Sequence, residues 1–140
     1  MDRGPGPRPP APGANPKLVA VERSTDICEV VITAGDAETL ASLTRTLVEE
    51  RLAACGQNIA PIRSIYRWEG TVQDDPEARV GLHTRTALVP ELVERVKALH
   101  SYDVPCVIAL PVIAGNPAYI AWVLAETRDP ETRDPQPRPS

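Results

Sequence analysis

Hydrophobic and polar positions change their period along the chain, and each change predicts a different element. Residues 27–34 are apolar on both faces apart from Glu29, which predicts a strand in a sheet interior. Asp36 is suited to cap a helix over residues 37–54, whose leucines and Val48 share one stripe. Gly56 follows as a stop signal. The chain therefore opens with a strand and a helix.

The middle of the chain alternates apolar and polar residues over positions 62–69 and 78–84. This alternation predicts two strands of a long antiparallel hairpin, with Gly70 and then Asp74-Asp75-Pro76 interrupting between them. Thr86 is a candidate cap for a helix over residues 87–100, in which Pro90 falls in the tolerant first turn. The expected buried stripe of that helix consists of Val89, Leu92, Val96 and Leu99.

The last part of the chain predicts one more strand and one more helix. Residues 104–111 form an apolar strand, and Asn116-Pro117 combines a capping residue with proline at the first helical position, opening a helix to about residue 127. The order β-α-β-β-α-β plus a helix predicts an α+β, ferredoxin-like sandwich. Its first and fourth strands are apolar on both faces, so we expect another copy of the chain to cover the sheet face that the two long helices leave open.

The proline distribution divides the chain into a body and two ends. Of the 16 prolines, six lie in residues 5–16 and four in residues 130–139. Neither end has the apolar side chains that would offset the entropy lost on ordering. We therefore predict disordered tails over residues 1–24 and 129–140, and a single domain over residues 25–128.

Charge and composition narrow the range of partners. The net charge is −4 and the arginines are scattered, which argues against nucleic acid. No segment is apolar enough to act as a signal peptide or to cross a membrane, so a cytoplasmic location without membrane contact is expected.

The three cysteines have no C-x-x-C spacing, which gives no indication of disulfides or structural zinc. No phosphate loop, nucleophile elbow or H-E-x-x-H motif is present, so we predict that the protein is not an enzyme.

Three blocks carry a resemblance to a known family. Residues 97–122 run from a helix end through an apolar strand to a capped helix, residues 48–55 read Val-Glu-Glu-Arg-Leu-Ala-Ala-Cys, and residues 64–70 read Ser-Ile-Tyr-Arg-Trp-Glu-Gly. In order and spacing these blocks resemble the CutA family, the divalent-cation tolerance proteins, over residues 27–127. The resemblance implies a ferredoxin-like homotrimer whose long hairpins engage neighbouring subunits.

The resemblance also implies a metal site, in an altered form. Copper-binding members are thought to use a His before Pro-Tyr, a Glu after the next Pro, and a Cys in the first strand. Here His100 matches, whereas Ser101, Cys106 and Ile32 stand at the Pro, Glu and Cys positions. His100 and Cys106 are thus the candidate metal ligands, a pair that favours Cu(I) or Zn(II) over harder ions. The alternative is that they are a helix-end histidine and a core thiol.

Four further residues are candidates for an intersubunit cleft. Tyr66 and Trp68 share a strand face within the family-like block, Tyr102 lies near His100, and His83 stands where family members commonly have Lys. A packed face for the two aromatic residues and a solvated or interfacial position for His83 are the alternatives. The resulting hypothesis is a trimeric binding or scaffolding protein that responds to metal ions, with copper or another divalent metal as the candidate ligand. A trimeric small-molecule sensor and an anchoring module for another protein remain open as alternatives.

Overall fold

The computed structural model describes residues 25–130. Their elements are listed here in chain order: β1 Ile27–Ala34, α1 Ala37–Glu49, β2 Cys55–Trp68, β3 Thr71–Arg85, a 3-10 turn Thr86–Leu88, α2 Val89–Leu99, β4 Val107–Pro111 and α3 Pro117–Glu126. The four strands form one antiparallel sheet in the order β2-β3-β1-β4. The fold is therefore α+β, with four antiparallel strands and three helices.

The main core lies between one face of the sheet and helices α1 and α2. Alternate residues of β1 are fully buried there, together with apolar residues of both helices: Cys28, Val30, Ile32, Ala34, Leu40, Leu43, Leu47, Leu92 and Val96. On the opposite sheet face, Val123 of α3 packs with Ile27 and Ala54 in a second, smaller cluster. Helix α3 thus covers only part of the face that α1 and α2 leave open.

Helix α1 begins as predicted but ends earlier. Asp36 caps it by accepting a 2.8 Å hydrogen bond from the Thr39 N–H. The predicted end at residue 54 is wrong, because Arg51 takes a left-handed φ of 62°. Its N–H donates to the Val48 carbonyl, and the Leu52 N–H reaches back to Leu47, which is a Schellman closure. Residues 52–54 then run buried into β2.

The predicted stop signal, Gly56, lies inside β2 rather than at a helix end. A Cβ added to Gly56 would lie 2.4 Å from Thr44 Cγ2 and 2.8 Å from Leu82 Cδ2. This glycine is needed because α1 and β3 approach the backbone of β2 so closely. The prediction that Gly56 stops the helix is wrong, and the reason for glycine at this position is tertiary packing.

The hairpin is longer than predicted, and its turn is shorter: Gly70 interrupts the strands as expected, whereas Asp74-Asp75-Pro76 does not. Glu69 and Gly70 form the turn, with φ of 50° and 82°, and β3 starts directly at Thr71. Asp74, Asp75 and Pro76 therefore lie within β3 and do not interrupt it. Pro76 is tolerated because β1 extends only to the partner of Ala78, which leaves residues 71–77 with β2 as their only neighbouring strand.

Smaller differences concern α2 and β4. The side chain of Thr86 makes no cap, since a 3-10 turn precedes α2. Leu92 and Val96 are buried as expected, whereas Leu99 is 42% exposed. Strand β4 begins at Val107, and Val104 lies in the preceding loop with 72% exposure. The start of α3 is confirmed, because Asn116 caps it and Pro117 is its first residue.

The ends of the body bear on the predicted domain limits. Residues 1–24 and 131–140, which hold almost all of the predicted tails, lie outside the described residues. Arg128 pairs with Glu91 at 3.0 Å, and its N–H donates to the Arg51 carbonyl. The described chain thus remains attached to the body through residue 128. Within residues 25–130, no helix has the length and apolar character needed to cross a membrane.

Candidate functional site

A cavity of ≈ 680 Å³ lies between the β2–β3 hairpin and the loop that follows α2. We call it the hairpin cleft. Its lining comes from β1, from both hairpin strands and from the loop: Thr33, Arg63, Ser64, Ile65, Tyr66, Trp68, Glu77, Tyr102, Asp103, Val104 and Cys106. Three of the four predicted cleft residues, Tyr66, Trp68 and Tyr102, are brought together here within one chain.

A carboxylate at the centre of the hairpin cleft organises its polar groups. Glu77 accepts hydrogen bonds from Ser64 Oγ at 2.7 Å and from Tyr102 Oη at 2.8 Å. Burial, followed by the bond to Glu77, raises the pKa of Tyr102 to about 12. Next to it, Tyr66 Oη donates to Asp75 at 2.9 Å, and this bond is the main cause of the raised pKa of Tyr66.

The hairpin cleft carries more negative than positive charge, because its arginine is already paired with a carboxylate. Arg63 makes a two-pronged contact with Asp74, at 2.9 and 2.8 Å, which raises the pKa of Arg63 and lowers the pKa of Asp74. Glu77 and Asp103 add two further carboxylates to the lining. Aromatic rings beside carboxylates suit an organic cation better than an anion.

The two predicted metal ligands line different cavities. Cys106 lines the hairpin cleft, whereas His100 lines a separate groove beside α1. The His100 ring donates from Nε2 to the Thr33 carbonyl at 2.7 Å and accepts the Tyr102 N–H at Nδ1 at 3.1 Å. Both ring nitrogens are thus engaged within the chain, and a metal would have to displace one of these bonds.

The other positions of the family-like metal site offer little. Ile32, at the position of the first-strand Cys, is fully buried in the core between the sheet and the helices. Ser101 is exposed in the loop after α2. Within residues 25–130, no group of three or more His, Cys, Asp or Glu side chains is arranged to hold a metal ion. Metal binding by His100 and Cys106 therefore stays a prediction.

His83, the fourth predicted cleft residue, lies away from the hairpin cleft in a group that we call the sheet-face cluster: Glu29, Cys55, His83 and Tyr119. His83 Nε2 lies 2.8 Å from Glu29 Oε1, and His83 Nδ1 contacts Tyr119 Oη. Cys55 Sγ lies 3.4 Å from Tyr119 Oη and 3.7 Å from His83 Nδ1. Burial, followed by the hydrogen bond to Cys55, raises the pKa of Tyr119 to about 12.

The sequence reasoning did not identify the partners of His83. Glu29 and Cys55 are its direct cross-strand neighbours on β1 and β2. Tyr119 comes from α3, whose placement on this face follows only from tertiary packing. The register at the hairpin turn pairs Trp68 with Thr71 and would by itself align Cys55 with Thr84. A register shift between Ile59 and Ile62 moves the partner to His83, and the sequence offered no signal for that shift.

Comparison with known proteins identifies the family. Residues 28–126 match the family model described as "CutA1 divalent ion tolerance protein". The chain belongs to the CutA family. It is 45% identical over 98 residues to the divalent-cation tolerance protein CutA of Thermus thermophilus, covering 70% of this chain and 95% of that protein. The resemblance inferred from the three sequence blocks is thereby confirmed.

Other CutA relatives agree in fold and differ in length. The crystal structure of CutA1 from Oryza sativa superposes with a TM-score of 0.73 at 40% identity, covering 76% of this chain and 97% of that one. The chloroplastic protein CutA of Arabidopsis thaliana is 42% identical over 100 residues. These residues are 71% of this chain but only 55% of the Arabidopsis protein. The shared part is thus the CutA domain.

Proposed function

We propose that this CutA-family protein contributes to divalent-cation tolerance as a non-catalytic homotrimer that binds metal ions, copper or another divalent metal. The cation-tolerance role is supported by membership of the CutA family. The observation that carries the oligomer is an apolar surface left uncovered by the chain itself. Ile108 and Leu110 of β4 are 53% and 44% exposed, and Trp122 of α3 is 42% exposed. Large apolar side chains grouped in this way favour a protein partner, and an identical subunit is the simplest one.

The hairpin supports self-association independently. Residues 71–77 of β3 extend past the end of β1 and pair only with β2. Ile65, Trp68 and Val72, near the tip, are each more than half exposed. A two-stranded ribbon gains little stability alone, so contact with a neighbouring subunit would stabilise it. The trimer itself, and its description as ferredoxin-like, rest on the strand order together with the CutA resemblance.

Binding is proposed in preference to catalysis because Glu77 and Arg63, two charged groups of the hairpin cleft, are already engaged within the chain. Both oxygens of Glu77 accept hydroxyl hydrogen bonds, and Arg63 is paired with Asp74. The proposed location is the cytoplasm, following the sequence-based expectation, and family members differ in this respect, since the Arabidopsis relative is named as chloroplastic.

A thermal-shift screen tests the proposal. A ligand that binds only the folded protein raises its melting temperature by mass action. We expect Zn(II), Cu(I) or Cu(II) to raise the melting temperature of the full chain, and a chelator to reverse the shift. Absence of any metal-dependent shift at saturating metal would contradict the metal-binding role.

The hairpin cleft favours a second candidate function, a sensor of a small organic cation. Its volume of ≈ 680 Å³ lies in the range of small-molecule sites, and its rings and carboxylates suit an amine. In the same screen, a stabilising shift by polyamines or other organic amines, lost in Glu77→Gln and absent with metals, would favour the sensor. The anchoring module has no particular observation in its favour.

A further inference from the structure

The sheet-face cluster contains the only histidine in residues 25–130 that has a thiol as a neighbour. Glu29, Cys55 and His83 stand side by side on three adjacent strands, and Tyr119 reaches them from α3. The side chain of His83 is 17% exposed and that of Glu29 is 34% exposed, while Cys55 is half-buried. The cluster is therefore accessible to a small ion from the open sheet face.

Hydrogen bonding fixes the tautomer of His83. An ionised carboxylate only accepts, so the contact with Glu29 places the ring hydrogen on Nε2. Nδ1 is left with its lone pair directed at Tyr119 Oη and Cys55 Sγ. A carboxylate behind the distal nitrogen is the usual support of a metal-binding histidine, because it fixes the ring and increases its basicity.

Gly81 makes room for this support. A Cβ at Gly81 would lie 3.2 Å from both Cδ and Oε2 of Glu29. A side chain at position 81 would therefore force the Glu29 carboxylate to shift by a few tenths of an ångström. Gly81 leaves the space in which Glu29 reaches His83.

The spacing of the two donors matches a metal ion. Zinc holds sulfur at about 2.3 Å and nitrogen at about 2.0–2.1 Å, so a tetrahedral angle separates the two donors by about 3.5 Å. The distance from Cys55 Sγ to His83 Nδ1 is 3.7 Å. We propose that Cys55 and His83 are the two protein ligands of a site for a thiophilic divalent metal ion, Zn(II). Glu29 is the positioning residue.

The proposal rests on the proposed metal-binding function and assigns it to different residues from His100 and Cys106. Binding requires that the Cys55 thiol lose its proton to solvent and that the Tyr119 hydroxyl leave Nδ1. Cys55 Sγ and His83 Nδ1 then fill two coordination positions, and water fills the others. The cluster holds only two of the stronger ligand types, so Zn(II) should bind more weakly than at a structural zinc site.

Competition with a chromogenic chelator measures Zn(II) affinity in the full chain and its variants. Cys55→Ser and His83→Gln should each weaken Zn(II) binding by more than about tenfold, and Glu29→Gln by about 10- to 100-fold. Cys106→Ser and His100→Ala are the matched controls, one thiol and one imidazole outside the cluster, and should leave the affinity unchanged. Co(II) gives a second readout, a thiolate-to-cobalt absorption band that Cys55→Ser abolishes and Cys106→Ser retains.

The outcomes separate this proposal from the general metal-binding role. Unchanged Zn(II) affinity in both Cys55→Ser and His83→Gln overturns the site. Loss confined to the two control variants also overturns it and assigns the metal to His100 and Cys106, with the proposed function intact. Absence of Zn(II) binding by the unmodified chain overturns both. Melting curves of each variant without metal show whether a loss of binding reflects unfolding. If the ligand variants unfold, the folded Glu29→Gln variant decides. A cobalt band that requires more Co(II) supports the site, and an unchanged Co(II) titration overturns it.

Discussion

At the scale of single residues, Arg51 links two helices that are distant in sequence. Its left-handed backbone ends α1, and its guanidinium donates to the carbonyls of Ala125 and Glu126 at 2.8 and 3.1 Å. A cationic group at a helix C-terminus interacts favourably with the exposed carbonyls there. The side chain therefore compensates for a backbone conformation that glycine would adopt without strain.

Two substitutions at Arg51 separate these effects. Arg51→Ala and Arg51→Gly remove the same hydrogen bonds, but only alanine keeps a Cβ in the left-handed region. We expect the alanine variant to be less stable than the glycine variant by about 1 kcal/mol. Urea denaturation measures the difference. Equal stabilities would show that the conformation of residue 51 carries no strain.

The tyrosines of the hairpin cleft make a second residue-scale prediction, on pH. The pKa of Tyr102 is raised to about 12, so the folded state favours the neutral phenol. The stabilisation is complete below the ordinary tyrosine pKa of about 10 and is lost as pH rises from there through about 12. Phenolate absorbance should show that Tyr102 titrates at a higher pH in the folded protein than in the unfolded chain. The signal that is missing in the Tyr102→Phe variant identifies this residue. Glu77→Gln should lower the pKa of Tyr102, and titration at about 10 in the unmodified protein would contradict the buried geometry.

At the scale of elements, the contact of α1 with β2 depends on a missing side chain. Gly56→Ala places a Cβ against Thr44 and Leu82 at distances that atoms do not normally adopt. Overpacking of this kind costs about 1–3 kcal/mol, which we expect as lost free energy of unfolding. Gly115→Ala is the control, because its Cβ would meet Ile120 at an ordinary 3.6 Å. Equal stability of the two variants, measured by thermal and urea denaturation, would contradict the packing.

The elements that the sequence predicted well are those with local signals. Strand β1 and the starts of α1 and α3 follow from a continuous apolar run and from the capping residues Asp36 and Asn116. The end of α1 was missed because the residue in the left-handed region is arginine. The interruption after Gly70 was predicted too long, because Asp74-Asp75-Pro76 is typical of a turn. In the structure these residues lie in β3 and pair with β2 alone.

The candidate sites show the same division. The blocks around Tyr66 and Tyr102 meet in the hairpin cleft of one chain, and their predicted place in a cleft between subunits stays a prediction. The surroundings of His83 were inaccessible from sequence, since its contacts lie 54, 28 and 36 residues away, at Glu29, Cys55 and Tyr119. Such contacts depend on strand register and on where α3 docks, and neither is encoded in a short window of sequence.

At the scale of the whole molecule, the account depends on how the open sheet face is covered. Exposed Ile108 and Leu110 on a short edge strand, together with exposed Trp122 on α3, would leave a monomer with apolar surface and an unpaired strand edge. A closed ring of identical subunits removes both from solvent.

Light scattering coupled to size exclusion tests this claim most directly. The full chain should elute with a mass about threefold that of the 15.2 kDa chain. Ile108→Asp should lower that mass, because an unpaired carboxylate in an apolar interface is costly to desolvate. Leu99→Asp, at a similarly exposed leucine on α2, should leave it unchanged. A dominant 15.2 kDa monomer at micromolar concentration would contradict the account.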